Sequence, residues 1–248
     1  APPSNAMRAE DLPRPMRAHR SGGRVRLVLD EGESTEVLGV VYGLEHQIKT
    51  PTYKLKLFLD SYNRRIKVID YRAEDFGAMI LKLRFLATAN RFDKIWVKAS
   101  ASDWHEFLKH GYVLEGMLQY FNRGKPSFIV SKFRSQKRLQ SRHLMKETLL
   151  IEELMGRSRP EKVHSLPSQY VLDYARESDL PEMLDLYREV FKTYPSPLAY
   201  REYLETVMHR DAIFRVVRKD GRVVSVASAE LDPRHLAAEL TDCATHPA

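Results

Sequence analysis

The stretch YVLDYARESDLPEMLDLYREV, residues 170–190, decides the fold of the C-terminal part of the chain. Its first five residues, Tyr170–Tyr174, are aromatic or aliphatic apart from one aspartate, which predicts a strand. Ser178 then precedes apolar residues at three- and four-residue spacing, which predicts a capped helix. The apolar positions are Leu180, Met183, Leu184, Tyr187, Val190 and Phe191. A strand followed directly by an amphipathic helix indicates a mixed α/β unit.

The same region continues with a second helix and three strands. Tyr194-Pro195-Ser196-Pro197 interrupts the first helix, because proline cannot continue it. A short helix is predicted over 199–208, and strands are predicted over 212–218, 223–231 and 238–245. The turns Asp220-Gly221 and Asp232-Pro233 separate the strands. The predicted order β-α-α-β-β-β defines a domain over residues 168–248.

Residues 24–131 carry a second set of strand and helix patterns. Apolar residues alternate with others over 53–59 and 66–71, which predicts a hairpin closed by Ser61-Tyr62-Asn63. The period then changes to three and four residues over 75–90, which predicts a helix. The other predicted elements are strands at 25–29, 94–98, 112–117 and 127–131 and a helix at 103–110 capped by Ser102. This alternation indicates a separate α/β or α+β domain.

Two further segments lie outside these domains. Residues 1–23 are predicted to form a disordered leader, in which Ser4-Asn5-Ala6 resembles an expression tag and an Arg- and Pro-rich stretch follows. Residues 132–167 are predicted to form a basic connector that contains a helix ended by Gly156.

The composition limits the classes of protein to consider. The chain has 248 residues, of which 43% are hydrophobic and 29% charged, enough for one large or two modest domains with real cores. Cys243 is the single cysteine, so no intrachain disulfide can form, and no Cys/His cluster has zinc-ligand spacing, so no metal site is predicted. No apolar run approaches the ~18 residues needed to span a bilayer. We therefore expect a cytoplasmic protein without a membrane partner.

The formal net charge of +7 is unevenly distributed. Residues 167–248 carry 10 Lys and Arg against 14 Asp and Glu, whereas residues 1–166 carry 30 against 19. A basic run in the connector leaves a non-catalytic nucleic-acid-binding module as an alternative function. Its residues are Lys132, Arg134, Lys137, Arg138 and Arg142. Only Phe133 lies within the run for base stacking, so a solvated connector explains it better and nucleic acid is not the expected partner.

Several motifs resemble one known superfamily. Residues 172–180 and 238–247 resemble the first strand and helix and the fourth strand of the GNAT superfamily of N-acetyltransferases. Residues 63–71 and 107–116 resemble the β-lysine N-acetyltransferases more closely, as do Tyr120-Phe121-Asn122 and Glu230-Leu231-Asp232-Pro233. This resemblance covers most of the chain from about Leu55 onward. The resemblance implies acetyl transfer from acetyl-CoA to the side-chain amine of β-lysine, which makes the compatible solute N6-acetyl-β-lysine. The alternative is acetylation of another amine or of a protein lysine.

The resemblance also predicts what each domain contributes. The run from Asp75 to Met117 resembles the second half of the GNAT fold, but Tyr71-Arg72-Ala73-Glu74 stands without glycine where a pyrophosphate-binding loop would be. We expect a degenerate half that binds no cofactor and supplies packing, a substrate-side wall or a homodimer surface; an unrelated α/β domain is the alternative. In the C-terminal domain the resemblance places the pyrophosphate loop just after Pro247. We therefore expect a longer protein. We also expect residues 1–248 alone to bind acetyl-CoA poorly.

The resemblance assigns the chemistry to the last predicted strand. Amine acetylation needs a base for the ammonium proton and an N–H donor for the thioester carbonyl. Glu239 matches the general base, the backbone N–H of Cys243 matches the donor, and Ala244 and Thr245 join Cys243 in binding the cofactor. A regular strand would place Glu239, Thr241 and Cys243 on one face and Asp242 on the other. The alternative is a solvated Glu239 and a small core residue at Cys243.

A substrate with ammonium groups predicts an acidic wall in the acceptor site. Glu230, Asp232 and Asp242 are the candidates for this wall. Tyr194 lies in the loop between the first two helices, which shapes the acceptor site in this fold. Ordinary surface charge, or a helix-breaking turn in the case of Tyr194, would explain each of these residues separately.

Overall fold

The computed structural model describes residues 24–38, 43–158, 165–210 and 212–247. The leader predicted for residues 1–23 lies outside the described residues, as do residues 159–164 of the connector. Among the described helices, none is both long and apolar enough to cross a membrane.

The N-terminal half forms a six-stranded sheet, here called the N-terminal sheet, with a separate hairpin. The hairpin pairs β1 (Arg24–Asp30) with β2 (Glu33–Leu38). The sheet has the order β3-β4-β5-β6-β8-β7. Its strands are β3 (Leu44–Lys49), β4 (Tyr53–Asp60), β5 (Arg65–Ala73), β6 (Lys94–Ser100), β7 (Val113–Asn122) and β8 (Lys125–Phe133). Only β5 and β6 pair in parallel, because helix α1 (Phe76–Ala89) connects them across one face.

The hydrophobic period accounts for the packing of this sheet. Leu55, Leu57 and Leu59 alternate along β4 and are buried against α1. Asp75 caps the start of α1 by accepting a hydrogen bond from the backbone N–H of Ala78 at 2.9 Å. Both ends of this helix lie within one residue of the predicted bounds. The cap predicted for α2 (Trp104–Lys109) is wrong. The hydroxyl of Ser102 bonds Ser100 and Asp103 instead, and the N-cap residue is Asp103.

A side chain fills the gap where β5 and β6 diverge. The two strands pair only over 65–68 and 94–97, although β5 continues to Ala73. In the gap the Tyr71 hydroxyl donates to the Asp103 carboxylate at 3.1 Å and accepts the N–H of Ser100 at 3.3 Å. Its ring packs edge-on against Phe76 and Phe107. The chain's own aromatic cluster therefore occupies the space between these strands.

The connector lies along the N-terminal sheet before α3 (Gln136–Leu139) and α4 (Leu144–Met155). Three of its basic side chains bind backbone carbonyls of the same chain. Lys132 donates to His110 and Gly111 at 3.1 and 3.0 Å, Arg134 to Phe92 at 3.3 Å, and Arg138 to Asn63 at 3.4 Å.

The C-terminal half forms a four-stranded antiparallel sheet, the C-terminal sheet, in the order β12-β11-β10-β9. Its strands are β9 (Tyr170–Tyr174), β10 (Ala212–Lys219), β11 (Arg222–Asp232) and β12 (Ala237–Thr245), with α5 (Leu180–Val190) and α6 (Arg201–Arg210) between β9 and β10. This β-α-α-β-β-β order and the mixed α/β class of the chain are as predicted. The helices bury one face of the sheet around Met183, Tyr187 and Val216.

The start of α5 differs from the prediction. Ser178 does not cap it, because a short 3-10 turn, Glu177–Asp179, precedes the helix. Asp179 instead accepts the N–H of Arg176 at 2.7 Å and both terminal nitrogens of Arg218, at 2.8 and 2.7 Å. The two acceptor bonds to Arg218 tie the helix start to β10.

Candidate active site

A cavity of about 540 Å³ lies between the two sheets. The N-terminal sheet contributes Glu45, Phe58 and Lys67, and the C-terminal half contributes residues of α6 and β11. The two halves also meet through hydrogen bonds. The Asn63 side-chain amide donates to the carbonyl of Pro195 at 2.9 Å, and the backbone N–H of Arg123 donates to the carbonyl of His235 at 2.8 Å. The cavity therefore belongs to both halves of the chain.

Strand alternation places Lys67 in the cavity. On β5 the side chains of Ile66 and Val68 are buried in the core on the α1 side. Lys67 lies between them and projects from the opposite face, where Phe58 on β4 is its cross-strand neighbour and Glu45 on β3 is in turn the neighbour of Phe58. Burial lowers the pKa of Lys67, assisted by the nearby Arg65 charge and opposed by Asp60 and Glu230.

A glutamate on the other wall of the cavity has a second glutamate as its cross-strand neighbour. Glu230 on β11 lines the cavity and is directly opposite Glu239 on β12, so their Cβ atoms are about 4.5–5.5 Å apart. Burial raises the pKa of Glu230, and the charges of Asp242 and Glu239 raise it further. Two acidic side chains paired across strands favour a bound cation.

The face predicted for Cys243 is wrong, because β12 contains a bulge. Val226 pairs with Ala244 and Ser228 with Thr241, so between these pairs two residues of β12 oppose one of β11. Asp242 has a φ of 52° at this point. Thr241 and Ala244 consequently share the helix-side face with Glu239, while Cys243 is exposed. Asp242 is buried, and its carboxylate accepts a hydrogen bond from the Ser228 hydroxyl at 2.8 Å.

Tyr194 reaches this bulge from the loop between α5 and α6. Its hydroxyl accepts the backbone N–H of Asp242 at 3.2 Å and lies 3.3 Å from the Thr241 hydroxyl. Its ring stacks on Phe191 with centroids 4.4 Å apart, and the Tyr187 hydroxyl donates to the Asp242 carbonyl at 3.0 Å. The loop and the bulge are thus held together by hydrogen bonds from two tyrosines.

Asp232 lies at the end of β11 and interacts with His235. Its carboxylate lies 2.7 Å from the His235 Nδ1 atom and accepts the His235 backbone N–H at 3.1 Å. Burial raises the pKa of Asp232, but the hydrogen bonds from His235 lower it more, so the net shift is downward. The His235 ring also packs on Phe121 of β7, with centroids 5.1 Å apart.

The sequence-based site omitted the cations of the N-terminal sheet. The Lys98 ammonium lies 4.0 Å from the centre of the Phe121 ring. Burial lowers the pKa of Lys98, and the charges of Glu239, Asp232 and Glu230 oppose this shift. Lys67 and Lys98 both alternate with buried apolar residues, which predicts that they leave the core face. Only the docking of the C-terminal half shows that this other face lines a cavity.

The predicted cofactor residues lie on an edge strand. Among the strands that the structure describes, β12 is the outermost of the C-terminal sheet. Cys243 and Thr245 are exposed, whereas Ala244 is buried, and the Thr245 hydroxyl lies 2.8 Å from that of Ser225.

Comparison with known proteins gives relatives with one shared activity. No family model matches the chain. The β-lysine N6-acetyltransferase of Methanosarcina mazei is 32% identical over 185 residues, which cover 66% of this chain and 68% of that protein. The N-acetyltransferase YodP of Bacillus subtilis is 29% identical over 191 residues, covering 76% of this chain and 68% of that protein.

Among solved structures, a tandem GNAT protein from the clavulanic acid biosynthesis pathway matches 91% of this chain and 79% of its own, with a TM-score of 0.45 and 10% identity. The matches to the two curated relatives extend over about two thirds of each relative's length. On that identity, the chain belongs to the family of acetyl-CoA-dependent N-acetyltransferases that includes the β-lysine N6-acetyltransferases.

Proposed function

We propose that the protein transfers the acetyl group of acetyl-CoA to the side-chain amine of β-lysine. The observation that carries this proposal is the pairing of Glu230 with Glu239 at a cavity that also holds the Lys67 ammonium. β-Lysine has two ammonium groups and one carboxylate, so it needs acidic and basic partners in one pocket. The names of the relatives support the same substrate.

The size and charge of the cavity suit a small diamino acid. Its volume of about 540 Å³ lies within the range of small-molecule sites. Glu45, Glu202 and Glu230 supply negative charge, and Lys67 and Arg210 supply positive charge. A protein lysine would bring only its own ammonium and leave the cations without a partner on the substrate. Such a pocket therefore favours a free amino acid over a protein.

Glu239 is the general base in this proposal. It lies across the strand pair from Glu230, so an ammonium held by Glu230 and a second amine of the same substrate can face both carboxylates. Removal of a proton by Glu239 leaves the amine lone pair free to attack. When bound, acetyl-CoA supplies the acetyl group as an activated thioester. Cys243, Ala244 and Thr245 would hold it along β12, with the Cys243 N–H as the hydrogen-bond donor.

Tyr194 and Asp242 act as positioning residues in the same scheme. The Tyr194 hydroxyl accepts the Asp242 N–H and so holds the bulge that precedes Cys243. Asp242 is buried beneath the cavity wall, where its negative charge keeps the pKa of Glu230 high without direct contact with the substrate. Asp232 contributes to the acidic wall through its charge beside Lys98.

A thiol-release assay on the full-length gene product tests the proposal. The acceptors are β-lysine, lysine, 1,4-diaminopentane and spermidine, each with acetyl-CoA. We expect the highest kcat/KM with β-lysine and acetylation at its side-chain amine, identified by mass spectrometry. A higher kcat/KM with spermidine, or with a lysine-containing peptide added as a fifth acceptor, would refute β-lysine as the substrate.

A further inference from the structure

We infer that Phe121 of the N-terminal sheet is a positioning residue for acetyl transfer. By packing on His235, it holds the β11–β12 hairpin, which carries Glu230 and Glu239, at the cavity. This inference rests on the proposed function, because it concerns the placement of the proposed base. It also gives the N-terminal half a part in catalysis. The evidence is a bulge in β7, the contacts between two hairpin turns, and the course of β11.

The end of β7 leaves the regular ladder and carries Phe121 with it. Residues 119–121 of β7 lie opposite Pro126 alone, between the last two residue pairs of the β7–β8 ladder. Proline has no N–H to donate within a sheet, so the bulge lies where regular pairing is already interrupted. Bulges bend a strand and redirect its side chains, and they are common beside active sites. The bulge therefore accounts for the direction of the Phe121 side chain.

The Phe121 ring contacts one residue from each half of the chain. Its centre lies 4.0 Å from the Lys98 Nζ atom on β6 and 5.1 Å from the centre of the His235 ring. The ring attracts the ammonium through its negative face, and it packs against the imidazole as aromatic pairs do. His235 lies in the turn between β11 and β12. The ring thus connects the N-terminal sheet to the β11–β12 turn.

Hydrogen bonds hold the same two turns together. The backbone N–H of Arg123, in the turn that follows β7, donates to the carbonyl of His235 at 2.8 Å. The Arg123 Nε atom donates to the carbonyl of Arg234 at 3.0 Å, and Arg234 forms an ion pair with Asp70 of β5 at 2.6 Å. The β7–β8 turn therefore determines where the β11–β12 turn lies.

The β11–β12 turn leads directly to the proposed base. The His235 Nδ1 atom lies 2.7 Å from the carboxylate of Asp232, which shares a strand face with Glu230 two residues earlier. Glu230 pairs with Glu239. Burial lowers the pKa of Lys98, and among the charges that oppose this shift Glu239 acts most strongly, so these two side chains lie near each other. A displaced turn would move the base relative to the N-terminal wall.

Such a displacement should slow the reaction more than it weakens binding. A base must lie within about 2.6–3.2 Å of the group it deprotonates, and a misplacement of about 1 Å can lower a rate on the order of 100-fold. The attraction between a carboxylate and an ammonium falls only inversely with distance. We therefore expect loss of the Phe121 ring to lower kcat through Glu239 more than it raises KM through Glu230.

A double-mutant cycle in the thiol-release assay tests the inference. The full-length gene product is compared as wild type, Phe121→Ala, Glu239→Gln and the double variant, with the acceptor of highest kcat/KM. We expect Phe121→Ala to lower kcat on the order of tenfold at neutral pH and to raise KM by less than about threefold. In the Glu239→Gln background the same change should lower kcat by less than about twofold, because a base that is absent cannot be misplaced.

Further variants separate positioning from stability. Phe121→Tyr keeps the ring and should retain at least about half of the wild-type kcat. Tyr120→Leu replaces the neighbouring aromatic side chain, which is 70% exposed, and should match the wild type. His235→Ala removes the partner ring and gives a second cycle with Glu239→Gln if Phe121→Ala does not fold. The kcat loss of Phe121→Ala should shrink as the pH rises and less amine needs the base, whereas a smaller folded fraction would lower kcat equally at every pH.

The outcomes separate this inference from the proposed function. An equal kcat loss with and without Glu239, or a loss independent of pH, would overturn the role of Phe121. If the best acceptor is not β-lysine and the cycle is non-additive as expected, the substrate assignment fails and the inference holds. If β-lysine is acetylated through Glu239 while Phe121→Ala and His235→Ala match the wild type, the function holds and the inference fails.

Discussion

Replacement of Asp179 by Asn should destabilise the C-terminal half strongly. Asp179 is 7% exposed and accepts two hydrogen bonds from Arg218 and one from the backbone N–H of Arg176. The Arg218 hydrogen bonds and charge lower the pKa of this carboxyl despite its burial. The amide retains one acceptor oxygen but leaves the half-buried Arg218 guanidinium without its counter-charge. We expect a loss of about 3 kcal/mol in the free energy of unfolding, the lower end for breaking a buried pair.

The assay is urea unfolding followed by circular dichroism, with Asp185→Asn as the matched control. Asp185 forms an exposed ion pair with Arg188 at 3.4 Å, so its replacement should change stability by less than about 1 kcal/mol. Because the folded-state pKa of Asp179 is lowered, its contribution is present above the unfolded pKa of about 3.9 and is lost as the pH falls through the folded value. The gap between wild type and Asp179→Asn should therefore close below about pH 4. A gap under 1 kcal/mol at pH 7, or one equal to that of the control, would refute the argument.

Three further changes test the core and the site. Tyr112→Phe should leave the free energy of unfolding in urea unchanged or raise it by up to about 1 kcal/mol, because this buried hydroxyl has no hydrogen-bond partner among the described residues. A loss above about 1 kcal/mol would show that the hydroxyl does have a partner. Tyr194→Phe should lower kcat about tenfold while calorimetric affinity for β-lysine is kept, because it removes the acceptor for the Asp242 N–H; a loss of affinity alone would contradict this role. Glu230→Gln should raise the KM for β-lysine about tenfold at pH 8. The pKa of Glu230 is raised, so the wild-type carboxylate loses its charge early as the pH falls. The fall of kcat/KM on the acid side should therefore move to lower pH in Glu230→Gln. An unchanged fall would show that another group causes it.

Local patterns predicted the regular elements well, because burial on one face imposes a clear period. Leu55, Leu57 and Leu59 on β4 and the spaced apolar residues of α1 follow that rule. β3 was not predicted, since only Ile48 in this strand is buried and its other positions carry polar or half-buried side chains. Pairing with β4, a long-range contact, determines that strand.

The site was predicted in part, and its errors have a physical cause. The acidic residues lie on β11 and β12, but the bulge at Asp242 reverses the faces of Asp242 and Cys243, and strand alternation cannot foresee an inserted residue. Lys67 and Lys98 were not predicted as site residues, because their importance depends on how two halves of the chain dock. Likewise, the residues around Ser178 and Ser102 did not indicate that the N-cap positions of α5 and α2 would be occupied by Asp179 and Asp103, neither of which makes a side-chain cap hydrogen bond to its helix.

The most direct test of acetyl transfer in this pocket compares wild type with Glu239→Gln in the β-lysine thiol-release assay. Glu36→Gln, an exposed β2 residue paired with Arg24, is the control for the loss of one glutamate charge. We expect Glu239→Gln to lower kcat by at least about 100-fold at neutral pH, with partial recovery as the pH rises and more of the amine is already deprotonated. Glu36→Gln should match wild type. Full activity in Glu239→Gln would contradict the account.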